Sequence, residues 1–272
     1  MIYILKTFTQ MHDIFDIACN FTSERFDNDL NEVIDRAVNS NVTKFGLICS
    51  RLRDFPRLIN IYKTFSDSMR FTIGVHPHHA NEFNDKYLLE LKNLIKDNPP
   101  HAIGETGLDF FRNLSTYEEQ IYAFEEQIKI AITCNKPLFL HQRDSHEDFI
   151  RILKNYATDI SKSVVHCFTG TQSQLDDYLE LDCFIGITGW ICDEKRNVEL
   201  RKTIKNIPLS KLMIETDCPY LIPKDLLQKP KNNRNEPNHL NHIAATVANL
   251  MEVDEEELRE QTYKNSLKFF ET

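Results

Sequence analysis

The stretch Ala102-Ile103-Gly104-Glu105-Thr106-Gly107-Leu108-Asp109 is an apolar run broken by two glycines and ending in a carboxylate. Ser115 to Glu118 follows with the spacing of a capping box. Ile121, Phe124, Ile128 and Ala131 then fall three, four and three residues apart, on one helical face. Glu125 and Lys129 stand as an i,i+4 pair on the polar side. A strand followed by a helix is the reading, and the same alternation extends in both directions. The predicted strands are Ile14–Cys19, Lys44–Ser50, Arg70–His76, His101–Asp109, Pro137–His141, Val164–Phe168, Phe184–Thr188 and Leu212–Asp217. They are apolar on both faces, as parallel strands covered by helices are. Helical patterns occupy about 29–40, 55–65, 85–97, 146–156, 172–181, 195–205, 239–251 and 255–270. Eight strands alternating with helices predict an α/β fold, a single (β/α)₈ TIM barrel, with a doubly wound open sheet as the alternative.

Composition sets the outer bounds. The chain has 272 residues, 41% hydrophobic and 27% charged, with 18 Phe and 9 Tyr, which is enough apolar surface to bury a core. The net charge of −9 argues against a broad electrostatic DNA-binding face, though not against an enzyme that grips phosphates locally. No apolar stretch approaches the ~20 residues of a membrane span, so no membrane partner is expected. Seven cysteines without a CxxC pair read as reduced thiols in a cytoplasmic protein. No linker or composition break divides the chain, so one domain is expected over residues 1–272. Met11-His12-Asp13-Ile14-Phe15 looks like a natural start, which makes Met1–Gln10 a candidate extension or mis-assigned start.

In such a barrel, reactive groups gather at the C-terminal ends of the strands. The third strand ends Gly74-Val75-His76-Pro77-His78, and the fourth carries Glu105 and Asp109. The fifth ends at His141, the sixth passes through His166, and the eighth ends Ile214-Glu215-Thr216-Asp217. A lone strand-end histidine is more often a hydrogen-bonded structural residue than a ligand, and a lone Glu105 or Asp217 could equally cap a following helix. Five on successive strand ends point to a cluster of imidazole and carboxylate. That donor set, with no thiolate, suits Zn²⁺, Mn²⁺ or Mg²⁺ and predicts metal-assisted hydrolysis.

Other residues carry paired readings. Arg143 is read as a bidentate phosphate contact or as a surface ion pair. Trp190, the only Trp, is read as buried packing in preference to a base-stacking surface. His78 and His79 are read as loop residues. Lys224, Lys229, Lys231 and Arg234 make the segment Tyr220–Asn238 locally basic, either a path for a single strand or simply solvated. Cys167 and Cys218 flank ligand positions without an activating partner, so neither is read as a nucleophile.

The ordered motifs Gly74-Val75-His76-Pro77-His78, Gly104-Glu105-Thr106-Gly107-Leu108-Asp109-Phe110, His141-Gln142-Arg143-Asp144, His166-Cys167-Phe168-Thr169-Gly170, Gly189-Trp190, Ile214-Glu215-Thr216-Asp217-Cys218-Pro219-Tyr220-Leu221 and Arg234-Asn235-Glu236-Pro237 resemble the TatD family of metal-dependent deoxyribonucleases. The resemblance runs from about Phe15 to the C-terminus. It implies an amidohydrolase-like barrel and a metal-dependent deoxyribonuclease. The implied activity is 3′→5′ exonuclease action on single-stranded DNA, extending to RNA, by a monomer. It implies metal ligation by Glu105, His141, His166 and Asp217. Asp217 doubles as proton acceptor, and His76 is an active-site histidine that orients phosphate or moves a proton. Glu215 and Arg234 are carried over as substrate-binding candidates, each with a purely structural alternative, a buried carboxylate for Glu215 and a loop salt bridge for Arg234.

One departure stands out. The family's strand-one His-x-His pair falls here on Ala18 and Asn20, of which Ala cannot ligate and neutral Asn is a weak oxygen donor. The chain resembles the branch that lacks the pair, bacterial TatD itself among it, which implies Mg²⁺. One resident ion is expected, with a second arriving only with substrate. Two other functions compete: a metal-dependent amidohydrolase of a small amide or cyclic urea, and an inactive barrel acting as a binding protein.

Overall fold

Why the predicted strands close into one ring is visible in the computed structural model, which describes residues 12–230 and 232–271. The candidate extension Met1–Gln10 lies outside them. Eight parallel strands are paired in chain order: β1 Ile14–Cys19, β2 Val42–Leu47, β3 Met69–Ile73, β4 Ala102–Asp109, β5 Leu138–Arg143, β6 Ser163–Val165, β7 Phe184–Ile187 and β8 Leu212–Ile214. Sequential order excludes the doubly wound sheet, whose strand order reverses. The ring closes between β8 and β1, where Cys19 bridges Cys218 and the Asn20 N–H donates to the Cys218 carbonyl at 2.8 Å. At this seam the Asp16 carboxylate also accepts from the Thr216 N–H at 2.9 Å and from its hydroxyl at 2.5 Å.

Helices α1 Leu30–Val38, α2 Phe55–Thr64, α3 Asp85–Asp97, α4 Tyr117–Cys134, α5 His146–Tyr156, α6 Gln172–Glu180, α7 Val198–Thr203, α8 Leu240–Met251 and α9 Glu255–Phe270 join the strands and cover the ring. None among the described residues is long and apolar enough to cross a membrane. The start of α4 differs from expectation by one residue. Thr116, not Ser115, is the cap, exchanging bonds with Glu119, while the Ser115 hydroxyl accepts from the Asn81 N–H. Lys129 likewise pairs with Glu126 at 2.7 Å instead of Glu125. Phe124 of α4 stacks on Phe149 of α5 with centroids 5.1 Å apart, both fully buried. Each such burial contributes about 1.5–3 kcal/mol.

Inside the ring a second apolar cluster forms from Phe15, Ile17, Ala18, Ala102, Phe139, Val164, Phe184 and Met213 together with Phe269 and Phe270. The two phenylalanines come from the end of α9, and Phe270 stacks on Phe15 at 5.3 Å. Asn265 of α9 donates to the Leu209 and Leu212 carbonyls at 2.9 and 2.7 Å. The last helix therefore supplies both an aromatic plug and a clamp on the seam. The interior column ends at Phe139, whose ring lies 5.2 Å from that of His166. Above it the barrel turns polar.

Candidate active site

Glu105 reaches the barrel mouth from a locally irregular strand. The β4–β5 register slips between Ile103 and Thr106. Gly104 and Gly107 flank Glu105, each with φ near +145°, and an added Cβ would sit 2.3 Å from the Phe139 carbonyl oxygen and 1.9 Å from that of His141. Only glycine fits there. Two buried glutamines of α4 hold the neighbouring strand ends. Gln127 accepts from the Val75 N–H and donates to its carbonyl at 2.7 and 3.1 Å, and Gln120 does the same for Asp109 at 2.8 and 3.2 Å. These paired bonds satisfy amides that would otherwise be costly to bury.

Three imidazoles converge on one carboxylate oxygen. Glu105 Oε1 lies 2.8 Å from His166 Nε2, 3.0 Å from His141 Nδ1 and 3.4 Å from His76 Nε2. His141 Nδ1 and His166 Nε2 are themselves 3.4 Å apart. Ser50 donates to the other Glu105 oxygen at 3.2 Å. A second layer continues outward. Asp109 Oδ2 lies 3.3 Å from His141 Nε2 and 2.7 Å from His78 Nε2. Across the mouth, Asp217 accepts from the Asn20 side-chain amide at 2.8 Å.

Protonation follows from these neighbours. Burial alone would raise the Glu105 carboxyl, but His76, His166 and His141 hold it well below the usual range. Asp109 behaves likewise, its burial outweighed by His141 and His78. Burial works against charge on His166, yet Glu105 and Glu215 raise its pKa well above normal. His76 is different: burial dominates and pulls it down to about 4. Its Nδ1 accepts from the His78 N–H at 3.1 Å, so the neutral ring carries its proton on Nε2. Asp217 is pushed up to about 7, chiefly by burial, with Glu105 adding to it and His166 opposing.

Whether these residues fit a divalent cation can be tested on their donors. One carboxylate oxygen offers two lone pairs, and three ring nitrogens crowd it. An imidazole–carboxylate set without thiolate matches a borderline or hard cation. His166 Nδ1 is buried with no hydrogen-bond partner, and Glu215 Oε1 stands 3.6 Å from it. At 3.6 Å this is a close approach and not a hydrogen bond, on the side where an outer-layer carboxylate would meet the ring of a histidine holding an ion through Nε2. The group fits.

The cavity above the cluster measures about 680 Å³ and is lined by Asn20, Ser50, His76, His78, Glu105, Asp109, His141, His166 and Asp217 among others. Its rim includes Arg143, whose guanidinium lies 3.8 Å over the exposed Phe111 ring, and Tyr220. Trp190 also lines it and is half-buried, packed against the core on one side and lying under the guanidinium of Arg196 at 5.0 Å, so it serves both packing and the cavity wall. Cys167 faces the cavity, but burial pushes its thiol to about 12, which leaves it unreactive.

Two carried-over candidates stand elsewhere. Glu215 is fully buried beneath the cluster, accepting from the Cys167 N–H at 2.5 Å. Arg234 is 4% exposed and bonds Asp29 at 2.7 and 2.8 Å and Glu236 at 2.6 Å. Its charge is spent on these partners, and neither residue lines the cavity. Of the basic loop, Lys224 and Lys229 are exposed, and Lys231 lies outside the described residues. Sequence reading placed Asp109 among the strand-end carboxylates but assigned it no role, read His78 as a loop residue, and missed Ser50. Asp109 ends the same strand as Glu105, and that was the available signal; Ser50 offered none.

With this geometry in hand, comparison with known proteins is specific. A family profile described as TatD related DNase matches residues 15–271. A protein of Erwinia tasmaniensis named 3′-5′ ssDNA/RNA exonuclease TatD is 42% identical over 94% of this chain and 99% of its own length. Its namesake from Edwardsiella piscicida is 39% identical over the same shares. Among solved structures, a TatD family hydrolase of Entamoeba histolytica superposes with a TM-score of 0.86 at 29% identity, covering 96% of this chain and 99% of that one. YjjV, a TatD homologue of Escherichia coli, gives 0.87 at 25% identity over 95% and 98%.

Proposed function

The chain belongs to the TatD related DNase family, and from that premise we propose that it hydrolyses phosphodiester bonds of single-stranded DNA, and of RNA, one nucleotide at a time from the 3′ end. The observation that carries this reading is the convergence of His76, His141 and His166 on Glu105 at the floor of an open cavity, with Asp217 facing them. A divalent cation held by Glu105, His141, His166 and Asp217 would supply positive charge for the phosphodiester oxygens and acidify water. Mg²⁺ suits a site whose strand-one positions are Ala18 and Asn20.

The side chains divide the remaining work. Asp217, with a carboxyl near neutrality, is the group suited to take a proton from the attacking water. His76 is neutral with its proton on Nε2, so it acts as a hydrogen-bond donor that orients a phosphate oxygen, and proton abstraction falls to Asp217. Asp109 and Glu215 act through histidines: Asp109 steadies His141 and His78, and Glu215 steadies His166. Arg143 on the rim is placed to pair with a backbone phosphate, and Trp190 and Tyr220 offer faces for bases. Arg234 braces the segment after β8 through Asp29 and Glu236. The seven free thiols support the cytoplasm.

The test is a 5′-labelled single-stranded oligonucleotide with Mg²⁺, beside EDTA and Glu105→Gln controls. A ladder shortening stepwise from the 3′ end and absent from both controls is expected. Internal cuts would make the enzyme an endonuclease. An intact strand with Mg²⁺, Mn²⁺ and Zn²⁺ alike would overturn the reading in favour of a small-amide hydrolase or a binding barrel.

A further inference from the structure

Among the described residues outside the mouth, two sets of side chains bring three potential ligand atoms together, Asp16 with Cys19 and Cys218 at the closed seam, and one that draws on three separate segments. Cys192 ends the 3-10 turn Gly189–Cys192 that follows β7 and carries Trp190. Asp225 lies in the segment after β8 that also carries Tyr220 and Leu221. His242 sits in the first turn of α8. A sulfur, a carboxylate oxygen and a ring nitrogen from these three lie within 4.8 Å of one another. We propose that Cys192, Asp225 and His242 form a second divalent-cation site, selective for Zn²⁺, that ties the turn after β7 to the segment after β8.

The chemistry of the donors sets the selectivity. The site at the mouth offers nitrogen and oxygen only, whereas this one adds sulfur. Thiolate with imidazole and carboxylate favours Zn²⁺ over Mg²⁺. Three protein ligands leave one tetrahedral position, and the cluster is shaped to give it to water. Cys192 is 1% exposed and forms the inner wall, while the His242 and Asp225 side chains are 34% and 41% exposed and open outward. His242 Nε2 already stands 2.6 Å from Asp225 Oδ1, so these two need only part slightly to admit an ion. The Cys192 sulfur has one weak contact, to the Thr246 hydroxyl at 3.6 Å, and that hydroxyl is itself anchored on the His242 carbonyl at 2.9 Å. Binding replaces the Cys192 S–H proton, which leaves to solvent, and His242 ligates through Nε2 with its proton on Nδ1. Both joined segments reach the cavity rim, through Trp190 on one side and Tyr220 on the other. The proposal does not depend on the nuclease reading.

Cobalt(II) is the probe, because a thiolate ligand gives a near-ultraviolet charge-transfer band that nitrogen and oxygen ligands do not. Full-length protein saturated with Mg²⁺ is titrated with Co²⁺, then back-titrated with Zn²⁺. The expected result is a one-equivalent thiolate band that Zn²⁺ removes. It is lost in Cys192→Ser, kept in Cys167→Ser and Cys19→Ser, and weakened at least about tenfold in affinity in His242→Ala. His242 is part-exposed, so that variant keeps the test alive should Cys192→Ser fold poorly. No band in the wild-type protein, a band that survives Cys192→Ser, or unchanged affinity in His242→Ala would each overturn the proposal.

Discussion

On the β3–β6 side of the mouth, His76, His141 and His166 press within 3.4 Å of a single oxygen of Glu105, and a further carboxylate, Asp109, backs them. On the β8–β1 side, the Asp217 carboxylate accepts a hydrogen bond from the amide of Asn20, and the carboxylate beneath, Asp16, is occupied by Thr216. The first wall carries three of the four side chains proposed to hold the resident cation, and Asp217 supplies the fourth from the other side. The second has one carboxylate and a neutral amide, so an ion there must borrow oxygens from a phosphate. The contrast teaches that one barrel mouth can gather its imidazoles on one side and leave the other side with a carboxylate and a neutral amide.

The strongest blow to the first wall is Glu105→Gln. We expect kcat to fall about a thousandfold or more, some 4 kcal/mol of barrier, with the near-ultraviolet circular dichroism unchanged. Near-normal turnover in Mg²⁺ would erase the distinction between the walls. Asp217→Asn strikes the second wall. Its kcat should drop about a hundredfold, while calorimetry finds the resident ion bound within about tenfold of wild type. Loss of that ion as complete as in Glu105→Gln would show that Asp217 is as indispensable to the ion as Glu105.

Asn20→His sharpens the comparison from the other direction by restoring an imidazole to the second wall. Equilibrium dialysis against Mn²⁺ should then count two ions per chain where the parent holds one, with the second at least about tenfold tighter. An unchanged count would mean that Asn20 is not what limits the second ion. The smallest effect is on stability and concerns Asp16. Burial lifts its carboxyl from 3.8 to about 7, against the hydrogen bonds from Thr216. The folded state thus holds this proton more firmly than the unfolded chain does. Its contribution is complete below pH ~4 and is lost as pH rises toward 7, by at most about 1.4 kcal/mol per pH unit. Urea unfolding from pH 5 to 8 should show that slope, superimposed on other titrations, flattened in Asp16→Asn. Equal slopes in both proteins would remove Asp16 from the account.

The repeating strand–helix pattern made the barrel readable, because parallel strands buried on both faces leave continuous apolar runs such as Phe184–Ile187. Strand ends were less readable. The apolar runs overshoot the paired strands because Phe168 stays buried after pairing has stopped at Val165, and Glu215 and Thr216 stay buried after it has stopped at Ile214. The capping box shifted by one residue because Ser115 is drawn to Asn81, a partner 34 positions away that no local pattern reveals. At the site, residues at the ends of apolar runs stood out. Ser50 did not, and the role of His78 depends on its distance from Asp109 across two strands. Arg234 has the charge of a phosphate contact but is turned inward by two acids, Asp29 and Glu236, of which the first is some 200 positions away.

The seam also has a consequence in time. The Asp16–Thr216 and Asn20–Asp217 bonds join positions 200 and 197 apart, so a chain leaving the ribosome exposes His76, Glu105, His141 and His166 long before Asp217 exists to meet Asn20. Contacts of such separation form late, after the entropy of closing a long loop has been overcome. A nascent chain arrested short of the last strand would carry the cation-holding wall without the proton acceptor. Completion of the barrel mouth therefore waits until translation has passed the final strand.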